Sequence, residues 1–327
     1  MKKVLSMVLA ALMLLSVVSF ASADEPLKVA VCVSGSLGDQ GFYDSAAAGL
    51  ELLVADFGVV GTVIECKNDA SLFESSLIDA AEENDIVVAV GWEFWDGLDA
   101  VAPEMPETKF IFVDNGLDYI DNVMAITYAE NEGSFLVGYC AMMTSETKVV
   151  GFVGGEDSDT INNFLVGYRQ GALLADPEGT VLDPIYTNTY DDPAAGKEAA
   201  LALYSKGADV VFQCADKCGL GVFEAAAEQG KYAIGVDNDQ KYLNPDVVIC
   251  SMLKKVGDSI YTAIANYLEN GEFLGGQVWN ADLTTGLVSV GFGTEDMVQQ
   301  ISDDTKAEMA LLAMAIVAGD IVVEATR

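Results

Sequence analysis

The stretch from Tyr204 to Gln240 constrains the fold more than any other part of the chain. Two short apolar runs, Val210–Cys214 and Tyr232–Val236, flank a segment with helical spacing, Gly221–Gln229. Runs that are apolar along almost their whole length are typical of strands covered on both faces, as in parallel sheets. Parallel neighbours need a long crossover, usually a helix. The stretch therefore predicts an α/β fold, with a parallel sheet flanked by helices.

The same alternation of strands and helices occurs in two series along the chain. The first series starts with the apolar run Leu27–Ser34 and ends with Lys109–Val113. The second starts near Val149 and ends with a helix at Asp304–Ala318. Such alternation is typical of α/β units, and here it predicts two of them in succession. Periodicity alone does not fix where the later segments cross between the units.

The first 23 residues have the pattern of a cleaved export signal. Lys2 and Lys3 precede the apolar run Val4–Phe20, which is followed by the small residues Ala21, Ser22 and Ala23. The run is near the length of a membrane span, but its position and its small-residue end favour removal. No Cys follows the cleavage site, so no lipid anchor is indicated there. We expect an exported chain, periplasmic or extracellular, that is soluble after signal cleavage.

The chain is strongly acidic and contains no histidine. Its 16 basic and 51 acidic residues give a net charge of −35, which becomes −37 once Lys2 and Lys3 are removed. This field repels phosphate groups, so nucleic acid is a poor partner, whereas a neutral or cationic small molecule is compatible. Adaptation to salt, or solubility alone, would produce the same charge. The lack of His excludes Ser-His and Cys-His nucleophile pairs and histidine metal sites. We expect a binding protein without metal or cofactor rather than an enzyme.

All six cysteines follow the signal segment. Cys32, Cys66 and Cys250 lie in or beside apolar runs, where a free Cys packs as a small hydrophobic residue. Cys214 and Cys218 have no second Cys pair beside them, which disfavours a zinc site. We expect buried thiols. The alternative is a disulfide, which export permits, with Cys32 and Cys66 as the first candidate pair.

Polar and aromatic residues follow several of the predicted strands. In open parallel sheets, ligands bind just outside the carboxyl ends of the strands. Asp237 follows one strand, Asp114 follows another, and Gly91 and Trp92 follow a third. Trp92 suits a pocket wall, although packing in the core is the alternative. A buried carboxylate such as Asp237 needs hydrogen-bond donors, while Asp239 is expected to be a turn residue.

Seven motifs, taken in their order and spacing, resemble the basic membrane protein family of ABC-transporter substrate-binding proteins, which includes purine nucleoside receptors. They are Asp39-Gln-Gly-Phe42, Glu132-Gly-Ser-Phe-Leu-Val-Gly138, Val150-Gly-Phe-Val-Gly-Gly155, Lys206-Gly-Ala-Asp-Val-Val-Phe-Gln213, Gly219-Leu-Gly-Val-Phe-Glu-Ala-Ala226, Gly235-Val-Asp-Asn-Asp-Gln240 and Ser251-Met-Leu-Lys-Lys255. The resemblance implies a type I periplasmic-binding-protein fold, in which two α/β lobes are joined by a three-strand hinge. We expect residues 24–146 and about 253–281 in the N-terminal lobe, and residues 147–252 and about 282–327 in the C-terminal lobe.

The resemblance also implies a ligand, a purine nucleoside in the first instance, which an ABC permease then receives. Phe42 would stack on the base, Asp114 would meet its polar edges, Asp237 would accept from ribose hydroxyls, and Lys254 would donate to the sugar. Glycines at strand ends would let the ligand approach the backbone. The full set of candidate ligand-binding residues is Ser34, Asp39, Phe42, Gly91, Trp92, Asp114, Gly155, Phe164, Phe212, Asp237 and Lys254.

Three departures from the family pattern leave the identity of the ligand open. Ser34 stands where many members carry an Asp that reads the base, Tyr43 replaces an Asn, and Asp216-Lys-Cys-Gly219 replaces a run of small residues. The same scaffold could therefore bind another small neutral or cationic ligand, such as a sugar. A nucleoside hydrolase is a further alternative, which would need a metal or an acid–base pair of carboxylates.

Overall fold

The computed structural model describes residues 25–326, so the expected signal at residues 1–23 lies outside the described part of the chain. The strands form two sheets. The strands of the first sheet are β1 (Lys28–Val33), β2 (Val60–Glu65), β3 (Ile86–Val90), β4 (Lys109–Val113), β5 (Val123–Tyr128) and β12 (Gln277–Ala281). Their order is β12-β5-β4-β3-β1-β2, and every neighbouring pair is parallel.

The second sheet is parallel except at one edge. Its strands are β6 (Val149–Gly154), β7 (Thr180–Val181), β8 (Ile185–Tyr186), β9 (Val210–Cys214), β10 (Tyr232–Asp237), β11 (Val248–Lys254) and β13 (Val288–Gly291). The order is β13-β11-β10-β9-β6-β7, with β8 also paired to β6. Only β13 runs antiparallel to its neighbour, β11, within this sheet. The predicted α/β class with mostly parallel sheets is confirmed.

Helices connect the strands. The helices are α1 (Phe42–Phe57), α2 (Ala70–Glu83), α3 (Trp95–Val101), α4 (Glu130–Thr144), α5 (Asp159–Ala175), α6 (Pro193–Ser205), α7 (Asp216–Gln229), α8 (Val256–Asn270) and α9 (Asp303–Val317), with short 3-10 turns at Trp92–Phe94, Ala102–Glu104 and Gln240–Leu243. None of the helices in residues 25–326 is both long and apolar enough to cross a lipid bilayer.

The chain crosses between the sheets three times. It leaves the first sheet after β5, returns to it after β11, and leaves it again after β12. The division into lobes at about residues 146, 252 and 281 stays a prediction, with which this distribution of strands is compatible. The largest apolar cluster contains buried residues of both sheets, for example Val31, Val113, Phe152 and Ile234. This cluster therefore extends across both sheets, and each sheet has a second, smaller apolar cluster of its own.

Glycines allow α4 and α5 to pack closely beside the second sheet. A Cβ atom at Gly171 would overlap the backbone carbonyl of Phe135, and one at Gly138 would overlap that of Tyr168. A larger residue at either position would force the helices apart, because both obstacles are backbone atoms. This close packing fixes the N-terminal end of α4, where Glu130 is buried, beside Phe164 of α5.

All six cysteines are buried free thiols, as expected. The Sγ atom of Cys32 contacts the carbonyl oxygen of Ser76 at 3.9 Å, and that of Cys66 contacts the Ser76 hydroxyl at 3.5 Å. The alternative disulfide between Cys32 and Cys66 does not form. Burial raises the pKa of the Cys32 thiol to about 12, so this thiol stays protonated at neutral pH.

Candidate functional site

A cavity lies where the carboxyl ends of β3 and β4 face those of β9, β10 and β11. Seven of the predicted site residues line it: Phe42, Gly91, Trp92, Asp114, Phe164, Asp237 and Lys254. They come from elements of both sheets and from α1 and α5. The sequence rule that ligands bind beyond the carboxyl ends of parallel strands thus leads to this cavity.

Three aspartates that line the cavity have a backbone conformation that is uncommon for non-glycine residues. The φ angle is 82° at Asp114, 45° at Asp216 and 64° at Asp237. Asp114 directly follows β4, Asp237 is the last residue of β10, and Asp216 comes two residues after β9. Asp tolerates the left-handed region better than most residues, but it remains uncommon there. Residues in such conformations cluster at functional sites, so the backbone itself marks these strand ends.

Lys254 lies at the centre of the site. Its side chain is only 2% exposed, and its ammonium forms ion pairs with Asp114 and, at 3.4 Å, with Glu130. The contact with Asp114 Oδ1 is an ion pair without the alignment of a hydrogen bond. Burial alone would lower the pKa of Lys254, but the carboxylates of Asp114 and Glu130 raise it above its usual value. Lys254 therefore stays charged, and it connects the end of β11 to the first sheet.

Aromatic rings surround the same ammonium. The Nζ atom of Lys254 lies 5.0 Å from the ring centre of Phe42, 4.9 Å from that of Tyr128 and 5.4 Å from that of Phe164. A cation within about 6 Å of a ring centre is attracted by the negative face of the ring. The site thus stabilises a positive charge by aromatic contacts as well as by carboxylates.

Asp237 has a carboxylate without a hydrogen-bond partner. The residue is 5% exposed and lines the cavity, and within residues 25–326 no donor hydrogen-bonds its side-chain oxygens. Its pKa is raised to about 8, mainly by burial. The nearby acids Asp39 and Asp114 also raise this pKa, whereas Lys254 lowers it. Such a group can accept hydrogen bonds from a bound molecule.

The side chain of Ser34 contacts two residues that line the cavity, although Ser34 itself does not line it. Its hydroxyl donates to Glu93 Oε2 at 3.1 Å and lies 2.9 Å from the hydroxyl of Tyr43. Gly91, with a φ of 121°, leaves the room that Glu93 needs, since a Cβ there would lie 2.5 Å from Oε2. Burial raises the pKa of Glu93 to about 7. The carboxylate of Glu93, which follows β3, thus lies beside Ser34.

Three other predicted residues lie behind the cavity wall. Asp39 accepts from the backbone N–H groups of Tyr43 at 2.9 Å and Asp44 at 3.1 Å, and so caps α1. Gly155 faces the ring of Tyr190, which lines the cavity. Phe212 is buried, with its ring centre 6.4 Å from that of Phe164. These three residues support the wall in this structure, and their direct contact with a ligand stays a prediction.

Several lining residues were missing from the sequence prediction: Tyr43, Glu93, Thr160, Ile161, Tyr190, Cys214, Asp216 and Val236. Asp216 and Glu93 follow strand ends closely, so the rule that flagged Asp114 could have flagged them. Burial raises the pKa of Asp216 well above its usual value, and the neighbouring carboxylates of Asp39 and Asp237 raise it further. Tyr190 lies in the connection between β8 and α6, where no periodic pattern marks it.

Hydrogen bonds join the loops after β1 and β10 beside the cavity. Asn238 Nδ2 donates to the carbonyl of Gly41 at 3.2 Å, and Gln240 Nε2 donates to the carbonyl of Gln40 at 3.2 Å. Asp239 lies in the same loop and accepts from the backbone N–H groups of Lys241 at 3.2 Å and of Gly293 at 2.7 Å. Its expected role as a turn residue is confirmed.

Comparisons with known proteins agree with this architecture. A profile of the Bmp family, described as ABC transporter substrate-binding protein PnrA-like, matches residues 27–325. Basic membrane protein A of Borreliella burgdorferi is 31% identical over 306 residues, 92% of this chain and 88% of that protein. The ABC transporter nucleoside-binding protein BmpA of Lactococcus lactis subsp. cremoris is 31% identical over 299 residues, 85% of this chain and 84% of that protein. The crystal structure of an ABC transporter solute-binding protein from Aeropyrum pernix K1 superposes with a TM-score of 0.82 at 26% identity, covering 91% of this chain and 94% of that one.

Proposed function

Because the chain belongs to the Bmp family of PnrA-like ABC transporter substrate-binding proteins, we propose that it captures a nucleoside in its inter-sheet cleft and delivers it to an ABC permease. Substrate-binding proteins of ABC transporters work outside the cytoplasm on small molecules. The export pattern of residues 1–23 supports periplasmic or extracellular location of the mature chain. The name of the Lactococcus lactis relative supports a nucleoside as the ligand.

One observation supports a nucleoside as the ligand. Aromatic side chains and a carboxylate without a hydrogen-bond partner line the same cavity, at the strand ends of both sheets. Aromatic rings suit the flat base, since stacking of a base on such a ring contributes about 1–3 kcal/mol. Asp237 suits the ribose, because its acceptor oxygens match hydroxyl donors. A nucleoside uses both features, since its base can stack on the rings and its ribose hydroxyls can donate to Asp237.

Ligand entry requires the two sheets to move apart. The cavity has a volume of only about 50 Å³, well below the several hundred Å³ of typical small-molecule sites. The bonds from Asn238 and Gln240 to the opposite loop, and the ion pair between Lys254 and Asp114, hold the cleft in this narrow form. The three crossings between the sheets supply the hinge.

Calorimetry with free nucleosides and their 5′-monophosphates tests this proposal. We expect at least one of guanosine, inosine, adenosine, cytidine and uridine to bind with a Kd of about 1 μM or tighter. Its monophosphate should bind at least about tenfold more weakly, because the phosphate would enter a site with several carboxylates and one lysine. Ribose is the control for the sugar alternative. Binding of the monophosphate as tightly as the nucleoside, or of ribose alone as tightly, would contradict the proposal.

A further inference from the structure

Carboxylates outnumber cations among the residues that line the cavity. Four acids line it, Glu93, Asp114, Asp216 and Asp237, and Lys254 is the one Lys or Arg among the lining residues. The ammonium of Lys254 is already paired with Asp114 and with Glu130, which is buried beside the cavity. Glu93, Asp216 and Asp237 therefore face the cavity without a cationic partner of their own.

Two of the three remaining carboxylates also lack hydrogen-bond donors. Within residues 25–326, the hydroxyl of Ser34 donates to Glu93, but no donor hydrogen-bonds the side-chain oxygens of Asp216 or Asp237. Asp237 is 95% buried, and its side chain lines the cavity. Burial raises the pKa of all three acids, and a positively charged ligand would stabilise their ionised forms.

The aromatic side chains favour a flat, delocalised cation in particular. Phe42, Trp92, Phe164 and Tyr190 line the cavity together with these acids. The rings of Phe42 and Phe164 already lie at 5.0 and 5.4 Å from the ammonium of Lys254. A charged heterocyclic base presents a π face to such rings and adds cation–π attraction to stacking.

We propose that the cleft selects a nucleoside with a positively charged base over its neutral counterpart, and that Glu93 and Asp216 supply the compensating negative charge. This inference rests on the proposed nucleoside function and specifies the ligand class. Asp237 is left for the ribose, and Lys254 keeps its ion pairs with Asp114 and Glu130. A neutral base would leave the acids at the end of β3 and at the start of α7 without partners.

Two pairs of isomeric nucleosides test the proposal. 1-Methyladenosine is cationic at neutral pH and N6-methyladenosine is neutral, and the two have the same heavy atoms. 3-Methylcytidine and 5-methylcytidine form a second pair with the same charge difference on a smaller base. Calorimetry at neutral pH should show that the cationic isomer binds at least about tenfold tighter in one or both pairs. Equal binding, or preference for the neutral isomer, in both pairs would overturn the proposal.

Variants connect the preference to the named acids. Glu93→Gln and Asp216→Asn remove a charge with little change of shape, and each should reduce the ratio of cationic to neutral affinity at least about threefold. Glu51→Gln is the matched control, since Glu51 is exposed on α1 and the net charge changes by the same amount. If both cleft variants have the same affinity ratio as the Glu51→Gln control, the assignment of the negative charge to Glu93 and Asp216 is overturned. If all four probes and all five nucleosides of the first experiment fail to bind, the nucleoside function itself is wrong. If one of the five neutral nucleosides binds and neither cationic isomer binds better than its neutral counterpart, this inference alone fails.

Discussion

Replacing Lys254 with Met lowers the free energy of unfolding by about 3–5 kcal/mol and abolishes ligand binding. The ammonium of Lys254 is buried, and it is paired with Asp114 and Glu130. Without it, these two carboxylates stay buried and lose their compensating charge, while Met fills most of the same volume. Urea denaturation of the ligand-free protein measures the change in stability, and calorimetry measures the change in binding.

Two further variants show whether charge is the cause. Lys255→Met makes the same substitution at the next residue, which is half-buried at the start of α8 and does not line the cavity, so its stability should stay within about 1 kcal/mol of the wild type. Asp114→Asn combined with Lys254→Met removes one of the stranded carboxylates and should recover part of the loss. A loss of less than about 1 kcal/mol in Lys254→Met would show that the ion pairs contribute little.

The parts of the fold that the sequence predicts are those with a strong local pattern. β1, β3, β9 and β10 are buried on both faces and read as continuous apolar runs, so their strands and the parallel sheets were predictable. The order of the motifs led to the family and to its type I periplasmic-binding-protein fold, and both are confirmed. These predictions depend on residues whose environment follows directly from their neighbours along the chain.

Three elements escaped sequence prediction for physical reasons. α4 is buried on most of its sides, so it lacks the polar face from which a helix is usually read. β12 is an edge strand with mostly exposed side chains, and its pairing with β5 joins positions about 150 residues apart. β5 is a short apolar run, which periodicity does not distinguish from a buried helix.

The candidate site shows the same limit. Asp114 and Asp237 were found because they end strands, and Phe42 and Lys254 because they match family motifs. Glu93 follows the end of β3 closely, but only its contacts with Gly91 and with the hydroxyl of Ser34 show how its carboxylate is placed. Ser34 stands where many family members carry an Asp that reads the base, but the structure brings the carboxylate of Glu93 beside residue 34 from another strand end. Long-range convergence of this kind leaves no mark on the local sequence.

Replacing Asp237 with Asn weakens ligand binding and stabilises the ligand-free protein at alkaline pH. Hydrogen bonds from ribose hydroxyls would favour the ionised form of Asp237 in the complex, so its loss should reduce nucleoside affinity at least about tenfold, since hydrogen bonds to charged groups contribute about 1.5–3 kcal/mol. The effect on stability has the opposite sign, because the carboxylate of Asp237 is buried without a hydrogen-bond donor from the described residues. Function and stability therefore make conflicting demands on this residue.

The pH dependence follows from the pKa of Asp237, which burial raises to about 8. Lys254 on β11 lowers this pKa, while Asp39 before α1, Asp114 after β4 and Glu130 on α4 raise it. An Asp in the unfolded chain titrates near pH 3.9, so between about pH 4 and 8 the folded state binds a proton that the unfolded state has released. Ionisation of this group therefore makes folding progressively less favourable as the pH rises through that window, and its contribution levels off above about pH 8.

Thermal unfolding of the ligand-free wild type and of Asp237→Asn, measured from about pH 4 to pH 9, tests this account. The Tm of the variant should exceed that of the wild type by an amount that grows with pH and becomes constant above about pH 8. A difference of several degrees is expected, because each pKa unit corresponds to about 1.4 kcal/mol. Asp239→Asn is the control, since Asp239 accepts two backbone hydrogen bonds outside the cavity and its loss should not raise the Tm. Parallel curves for Asp237→Asn and the wild type would mean that Asp237 is ionised throughout this range and is stabilised by partners that a ligand would have to displace.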